Sequence, residues 1–480
     1  MSALAGCALG PDYQRPELPL PPAWRAPLVD AADVANTAWW EAIGDEDLNA
    51  LIKTALDANK DLQLATLRVE EFDARLQVSR AGEYPQVGYG ASGKRQRFTE
   101  ERPSIPQSAE LTQNVFEMSL NVGWELDLWG RVRRSNEAAR ADLLATEEAR
   151  RAVMLTVVTN VATSYVELIG LDQQLALTRQ SLKNREDSLA LIDTKYKGGS
   201  GTRLSVAQAR AAVDELAVAI PDIERQIALL ENALSALLGR NPGPIQRRTI
   251  DALVLPPVPQ GVPSDVLARR PDVLAAEQSL IAANARIGVA KTQYLPSISL
   301  TSVLGLASDE LKWLLERTAR TGEIGAGLVG TLFSAGRIEG DVRQTEAVHK
   351  QMVVTYQKAV QTALREVEDA LVFRAKANEQ LAATGRFVES MKEVESLSRM
   401  RYEGGYSGYL EVLDAERELY SAQLQQAQGH RDTYLALISI YKAMGGGWMV
   451  EQDKLRANAA VAVAPVDVRE PGAIHEEIQK

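Results

Sequence analysis

The sequence predicts an α+β membrane protein that is built as a two-fold internal repeat. The prediction rests on paired segments of apolar and polar alternation, on very long helical segments, and on landmarks that recur at a constant offset. One such pair of landmarks is Tyr196-Lys-Gly-Gly199 and Tyr402-Glu-Gly-Gly405. Repeats of this length imply pseudo-symmetric halves, each with helix, strand, strand, long helix, turn and helix.

The N-terminal segment contains a candidate lipid anchor. Residues 4–7 read Leu-Ala-Gly-Cys, the box recognised in bacterial lipoprotein processing, and a Pro-rich stretch follows. Ala8 after the cysteine is typical of sorting to the outer membrane. We therefore expect a covalent lipid on Cys7 and no other cofactor, the alternative being an ordinary small residue in a loose terminus.

The clearest strand runs from Phe116 to Leu128 and alternates apolar with polar or Gly positions. It exceeds the usual strand length and fits the ~9–11 residues of a tilted membrane-spanning strand. One such strand alone also fits a half-buried strand of a soluble sheet. The predicted lipid-facing residues are Phe116, Met118, Leu120, Val122, Trp124 and Leu126.

Three further segments alternate in the same way, near Val87–Ala91, Ile298–Leu306 and Ile324–Leu332. Four strands per chain cannot close a membrane barrel, because the smallest known need about eight. Open sheet edges are not tolerated in lipid, so the chain must oligomerise. A dimer and a trimer both satisfy an even strand count.

Long helices fill most of the remaining chain. Residues 131–197 contain no proline and one glycine, and a helix of that length would span about 100 Å. Its apolar seam predicts coiled-coil packing, and Pro221 predicts a kink in the returning helix. We divide the chain into a lipid-anchored segment (1–38), first-repeat helices (39–84), a first β-hairpin (85–129), a first long helical hairpin (130–239), a linker or equatorial segment (240–271), a second-repeat helix (272–294), a second β-hairpin (295–335), a second long helical hairpin (336–446) and an equatorial or disordered tail (447–480).

Composition narrows the function. The net charge of −11 argues against nucleic acid, and a single cysteine excludes a disulfide framework. With three histidines, no nucleotide-binding loop and no metal-ligand cluster, we expect no enzyme, no catalytic residue and no metal site. No run of about 18 apolar residues occurs, so we expect membrane contact through strands or lipid and not through a helix.

Several motifs together resemble a known family, the TolC-like outer membrane factors, in the lipoprotein branch that contains OprM, CusC and NodT. These motifs are Cys7 to Tyr13, Trp39-Trp40, Val262 to Val273, Tyr402 to Gly405, Tyr409-Leu410, Leu413 to Arg417 and Tyr441 to Trp448. The resemblance implies a homotrimer with a 12-stranded outer-membrane β-barrel, continued through the periplasm by a long α-helical coiled-coil barrel with an equatorial domain.

The resemblance also implies a function. The chain would be the passive exit duct of a tripartite efflux system in a Gram-negative bacterium. Its partners would be a periplasmic adaptor, an inner-membrane RND-type pump and outer-membrane lipid. The competing interpretation is a periplasmic coiled-coil adaptor or structural tether, which would also use long helical hairpins but would need no membrane strands.

Two sites follow from the resemblance. The adaptor would dock at the Gly-rich helical turns, which reverse the chain in any case and which we expect to need positive φ angles. These turn residues are Gly198, Gly199, Gly201, Gly404, Gly405 and Gly408. The periplasmic gate would comprise Leu410, Glu411, Asp414 and Arg417, with Asp414 and Arg417 as the closing pair. Without the resemblance, these four would be read as a solvated helix face.

Overall fold

The structure, a computed structural model, describes residues 8–25, 31–32, 38–99, 111–256, 258–259 and 263–445. Cys7 and the predicted tail 447–480 lie outside these residues. The helices are α1 (Glu46–Ala58), α2 (Lys60–Arg80), α3 (Arg131–Lys197), α4 (Arg203–Leu237), α5 (Pro263–Arg269), α6 (Pro271–Thr292), α7 (Arg337–Glu403) and α8 (Tyr409–Ala443). The strands are β1 (Ala31–Ala32), β2 (Gln86–Arg97), β3 (Thr112–Glu125), β4 (Val258–Pro259), β5 (Ser297–Ser308) and β6 (Arg320–Val329).

The chain divides into two units, which are described separately. The first comprises Met1–Pro19, Ala65–Ala149 and Asp272–Ala359, and the second comprises Leu20–Leu64, Arg150–Pro271 and Val360–Lys480.

The first unit contains a four-stranded antiparallel sheet in the order β2-β3-β5-β6. Leu120 of β3 is paired with Tyr89 of β2 and with Leu304 of β5. Residues paired across antiparallel strands share one face, so these three side chains form an apolar row. All three are exposed. The opposite face carries Asn121, Gly88 and other polar or small residues, so the sheet is amphipathic as the alternation predicts.

The predicted strand is too long at its C-terminal end. β3 stops at Glu125, although the Leu126 N–H still donates to the Ile298 carbonyl at 2.8 Å. The Asp127 carboxylate accepts the N–H groups of Val132 and Arg133 at 2.9 Å each, so it satisfies donors of the first turn of α3. The prediction is wrong here because capping of the next helix overrides the apolar alternation.

The long helices have matching lengths. α3 and α7 each contain 67 residues, and α4 and α8 each contain 35. α4 continues through Pro221 as a single helix. The proline removes one backbone donor, and helical turns on both sides maintain the helix.

One part of α3 corrects the expectation that no helix is apolar enough to cross a membrane. By length and composition, an 18-residue stretch of this helix is apolar enough to cross a membrane. Most of that stretch is buried within the protein. Met154, Tyr165 and Ile169 are among the fully buried side chains of α3. Burial of this kind is typical of a core helix, so the apolar stretch is explained by packing.

The core of the second unit is built around Trp39 and Tyr441, whose rings stack with centroids 4.9 Å apart. Asp45 caps α1 by accepting the Asp47 and Leu48 N–H groups, and its second oxygen accepts the buried Tyr165 hydroxyl at 2.7 Å. Desolvation by burial raises the pKa of Tyr165, so this phenol stays a donor. These contacts fix the start of α1 against α3.

Candidate functional site

The two Gly-rich turns that join the long helices have the same backbone structure. At the α7–α8 turn, Gly405 has φ 77°, its N–H donates to Tyr402, and the Tyr406 N–H donates to the Arg401 carbonyl at 2.9 Å. The same bonds form around Gly199, which has φ 81°. This is the Schellman pattern, in which a left-handed glycine ends the helix.

Each turn therefore has one glycine with the expected positive φ, and the other four turn glycines do not have it. Gly201 is required for space, since a Cβ there would lie 2.9 Å from the Tyr196 nitrogen. A Cβ on Gly404 would lie 2.9 Å from the Tyr406 ring. Gly408 has φ −82° and open space around it, so nothing in its backbone requires glycine.

The two turns of one chain are held together by packing next to them. A buried cluster joins α3, α4 and α8 through Ile192, Ala209, Ala212, Tyr409, Val412 and Leu413. The Tyr402 ring meets the Tyr409 ring edge-on at 5.8 Å, and the Lys195 ammonium lies 4.4 Å from the centre of the Tyr402 ring. A cation over an aromatic face is attractive, so Lys195 of the first hairpin is tied to Tyr402 of the second.

The predicted gate residues lie on the exposed side of the first two turns of α8. Leu410, Glu411, Asp414 and Arg417 are all exposed. The Glu411 carboxylate forms an ion pair with Arg401 of α7 at 3.0 Å. Arg417 is paired with Glu215 of α4 at 3.2 Å. Within the chain, Arg417 thus pairs with α4, and the closing pair of Asp414 and Arg417 stays a prediction.

One functional candidate escapes the sequence interpretation. Glu416 lies behind the exposed gate residues, and its side chain is only 9% exposed. Its carboxylate accepts a hydrogen bond from the Arg399 guanidinium of α7 at 3.0 Å and another from the Ser188 hydroxyl of α3 at 3.4 Å. The sequence does contain a sign that Glu416 is unusual. This acidic residue lies one turn after Val412 and one turn before Leu419, on an otherwise apolar stripe of the helix.

The N-terminal residues of the first unit lie along its helices. The Leu9 N–H donates to the Trp129 carbonyl at 3.1 Å, in the segment that joins β3 to α3. A Cβ on Gly10 would lie 2.6 Å from the Gly288 Cα atom, so the two backbones touch. Arg15 donates to Glu277, which fixes the segment further along. Residue 8 is thus held beside the end of a strand.

Comparisons with known proteins agree with this architecture. A family model described as "Outer membrane efflux protein" matches residues 51–240 and 262–446, which is most of the chain. The protein belongs to the outer membrane efflux protein family. It is an outer-membrane exit duct of a tripartite efflux system in a Gram-negative bacterium, extends into the periplasm, and is not an enzyme.

Two curated relatives illustrate the membership. The chain is 36% identical over 452 residues to the cation efflux system protein CusC of Escherichia coli O157:H7, covering 93% of this chain and 97% of that protein. It is 35% identical over 460 residues to the toluene efflux pump outer membrane protein TtgI of Pseudomonas putida, covering 94% and 97% respectively.

Solved structures of this family have the same fold. The open-state MtrE outer membrane channel of Neisseria gonorrhoeae superposes with a TM-score of 0.84 at 28% identity, over 92% of this chain and 99% of that one. The OprN outer-membrane channel gives a TM-score of 0.86 at 27% identity, over 92% and 100%. Family membership favours the exit duct over the competing adaptor or tether.

Proposed function

We propose that three copies of this efflux protein close one 12-stranded β-barrel and continue it as a helical periplasmic duct. The observation that carries the proposal is the open amphipathic sheet. Among the described residues, β2 and β6 each pair with one strand only, which leaves two free edges. Free edges are not stable in lipid, so the edges of neighbouring copies must pair.

The outward face of the sheet supports the same proposal. Tyr89, Leu120, Leu304, Ile324 and Leu328 are exposed apolar side chains on one face. Apolar exposure on this scale is unfavourable in water and favourable in a bilayer. The exposure of Met118, Leu120 and Trp124 supports the lipid face that the alternation predicts for β3.

The matched lengths of the long helices support the proposed internal repeat. α3 and α7 agree in length, as do α4 and α8, and the family model matches the chain twice, once in each half. Two similar hairpins per subunit would give the helical duct six near-equivalent hairpins, which suits a closed ring of packed helices.

Lipid on Cys7 would add an anchor beside the barrel. The support is the position of residue 8, next to Gly130 and the strand end, where a Cβ on Gly130 would lie 2.8 Å from the Ala8 Cα atom. An acyl chain on the preceding residue would then begin close to the membrane-facing sheet.

The duct would be closed at rest near the helical turns, and an adaptor would dock on the outside of those turns beneath an inner-membrane RND-type pump. Glu411 and Asp414 repeated three times would line this constriction with carboxylates. A ring of like charge attracts cations and resists anions, so we propose a cation-preferring duct. The relatives are named for both cation and toluene efflux, and the pump would select the cargo.

Native mass spectrometry in detergent tests the proposed assembly. The expected species has about three times the 52.4 kDa mass of one chain, plus any lipid. A species of two chains, or a stable monomer in the membrane fraction, would contradict the proposed barrel.

A further inference from the structure

A buried carboxylate joins three helices directly behind the proposed gate. Glu416 of α8 accepts hydrogen bonds from Arg399 of α7 and from Ser188 of α3. Arg399 also donates to Glu395 on its own helix, with Nε at 2.9 Å. Glu416 is therefore the member of this cluster that connects α8 to its neighbours.

The charges in the cluster do not cancel. Glu395 and Glu416 share the single positive charge of Arg399, so one negative charge has no counterpart there.

The other charged and polar groups nearby are paired elsewhere. On α3, Arg185 faces the cluster but donates to Glu215 and to the Ala212 carbonyl of α4. Asp187 of α3 borders a groove that Glu416 also lines, and it is paired with Lys183. On α8, Arg417 is directed to Glu215, and Tyr420 shares a hydrogen bond with Thr178.

Two buried polar atoms in the cluster lack a hydrogen-bond partner among the described residues. They are the Oε2 atom of Glu416 and the hydroxyl of Tyr409. An ionised oxygen that is buried without a donor destabilises the packed state, and a protonated carboxyl removes that cost. A groove of about 600 Å³ borders Ser188, Glu395 and Glu416, so water and protons have a route to the site.

Burial accordingly raises the pKa of Glu416 above its ordinary value of 4.5, and Glu395 raises it further. Arg399, Arg185 and the Ser188 hydroxyl oppose this shift without cancelling it. Burial also raises the pKa of the Tyr409 phenol to about 12, so Tyr409 remains neutral.

We propose that Glu416 is a proton-operated lock, in which protonated Glu416 holds α8 packed against α3 and α7 and ionisation weakens that packing. The sign follows from linkage. Movement of α8 away from its neighbours would expose Glu416 and return its pKa towards 4.5, so protons bind the packed state more tightly. The stabilisation is complete below that value and is lost as pH rises through the raised pKa.

The inference rests on the proposed duct, because the lock acts on the helix that carries Leu410, Glu411 and Asp414. The lock would therefore hold the resting duct more tightly closed in acid and permit the proposed gate to open more readily near neutral pH. This is a regulatory role for a residue that does not itself line the proposed constriction.

Single-channel recording of the full-length oligomer tests the lock by comparing about pH 7.5 with a pH near the ordinary glutamate value of 4.5. Wild-type conductance should fall severalfold on acidification, since each unit of pKa difference changes the equilibrium about tenfold per subunit. Glu416→Gln should conduct weakly at both pH values. Wild-type conductance that stays constant or rises in acid, or a Glu416→Gln response equal to that of wild type, would overturn the lock.

Glu395→Gln is the matched control, because Glu395 contacts the same arginine but lies on the helix of Arg399. This variant should keep the pH response and shift its midpoint to lower pH, since Glu395 raises the pKa of Glu416. Loss of the response in Glu395→Gln would contradict the assignment to Glu416.

Amide hydrogen exchange at about pH 7.5 tests the proposed lock independently of the proposed duct. Glu416→Gln should slow exchange along α8 relative to wild type, because the neutral amide mimics the protonated state. Unchanged or faster exchange would refute the lock even if the protein conducts. Absence of any pore would refute the duct, while the exchange result would still decide on the lock.

Discussion

The Arg417 guanidinium of α8 lies 3.2 Å from the Glu215 carboxylate of α4, so the gate-bearing helix is tied to the other hairpin of its own chain. Both side chains are about half exposed. An ion pair in that setting contributes about 0–1 kcal/mol, which is weak enough to open and close readily. The pair holds α8 through a partner that lies outside the predicted set of gate residues.

We expect Arg417→Ala to raise single-channel conductance about two- to fivefold for a pair of this strength, and Glu215→Gln to raise it at least as much, because Glu215 also pairs with Arg185. The double variant should add little to Glu215→Gln alone, because that change already removes the interaction with Arg417. Arg179→Ala is a control, since it removes an exposed ion pair that α4 makes with α3, through Glu224, away from the gate residues. Additive effects of the two gate-side changes would show that Arg417 and Glu215 act independently.

The amphipathic four-stranded sheet predicts opposite outcomes for substitutions at two adjacent residues. Leu120→Arg puts a charge on the apolar face at a cost of roughly 2–4 kcal/mol near the bilayer midplane, so the yield of membrane oligomer should drop strongly. Asn121→Arg lies on the opposite face and should be tolerated. Heat-modifiable migration of outer-membrane fractions measures the yield, and equal tolerance of both changes would refute the assigned faces.

The anchor prediction concerns the mature N-terminus. Mass spectrometry of protein processed in a Gram-negative host should find acylated Cys7, and Cys7→Ser should lack the lipid yet still give oligomers. The proposed barrel would hold the oligomer independently of the lipid. An unmodified cysteine, or processing at another residue, would rule out this anchor.

The turns predict different costs for two neighbouring glycines. Gly405→Ala forces a Cβ into the left-handed region and should destabilise the α7–α8 turn by about 1–2 kcal/mol. Gly408→Ala has open space and an ordinary φ, so its cost should be about 0.5 kcal/mol or less, because the weaker N-cap is offset by the lower entropy of the unfolded chain. Thermal unfolding compares the two, and a larger loss in Gly408→Ala would contradict the turn assignment.

Patterns local in sequence predict much of this fold. Alternation identifies the strands from Phe116 to Trp124, because neighbouring side chains on a strand face opposite sides. The end of β3 is not predictable in this way, because Asp127 is recruited by backbone donors of α3. The partner of Arg417 lies on α4, and the burial of Glu416 depends on α3 and α7, so both require the packed structure.

Ion selectivity of the reconstituted duct tests the central claim most directly. Glu411 and Asp414, repeated around the proposed three-fold axis, should make the wild-type duct nearly closed at rest and cation-selective. Reversal potentials under a salt gradient should therefore favour cations in wild type, and Glu411→Gln with Asp414→Asn should reduce that preference. A wild-type duct that conducts freely without ion preference, or a double variant identical to it, would place the constriction elsewhere on the chain.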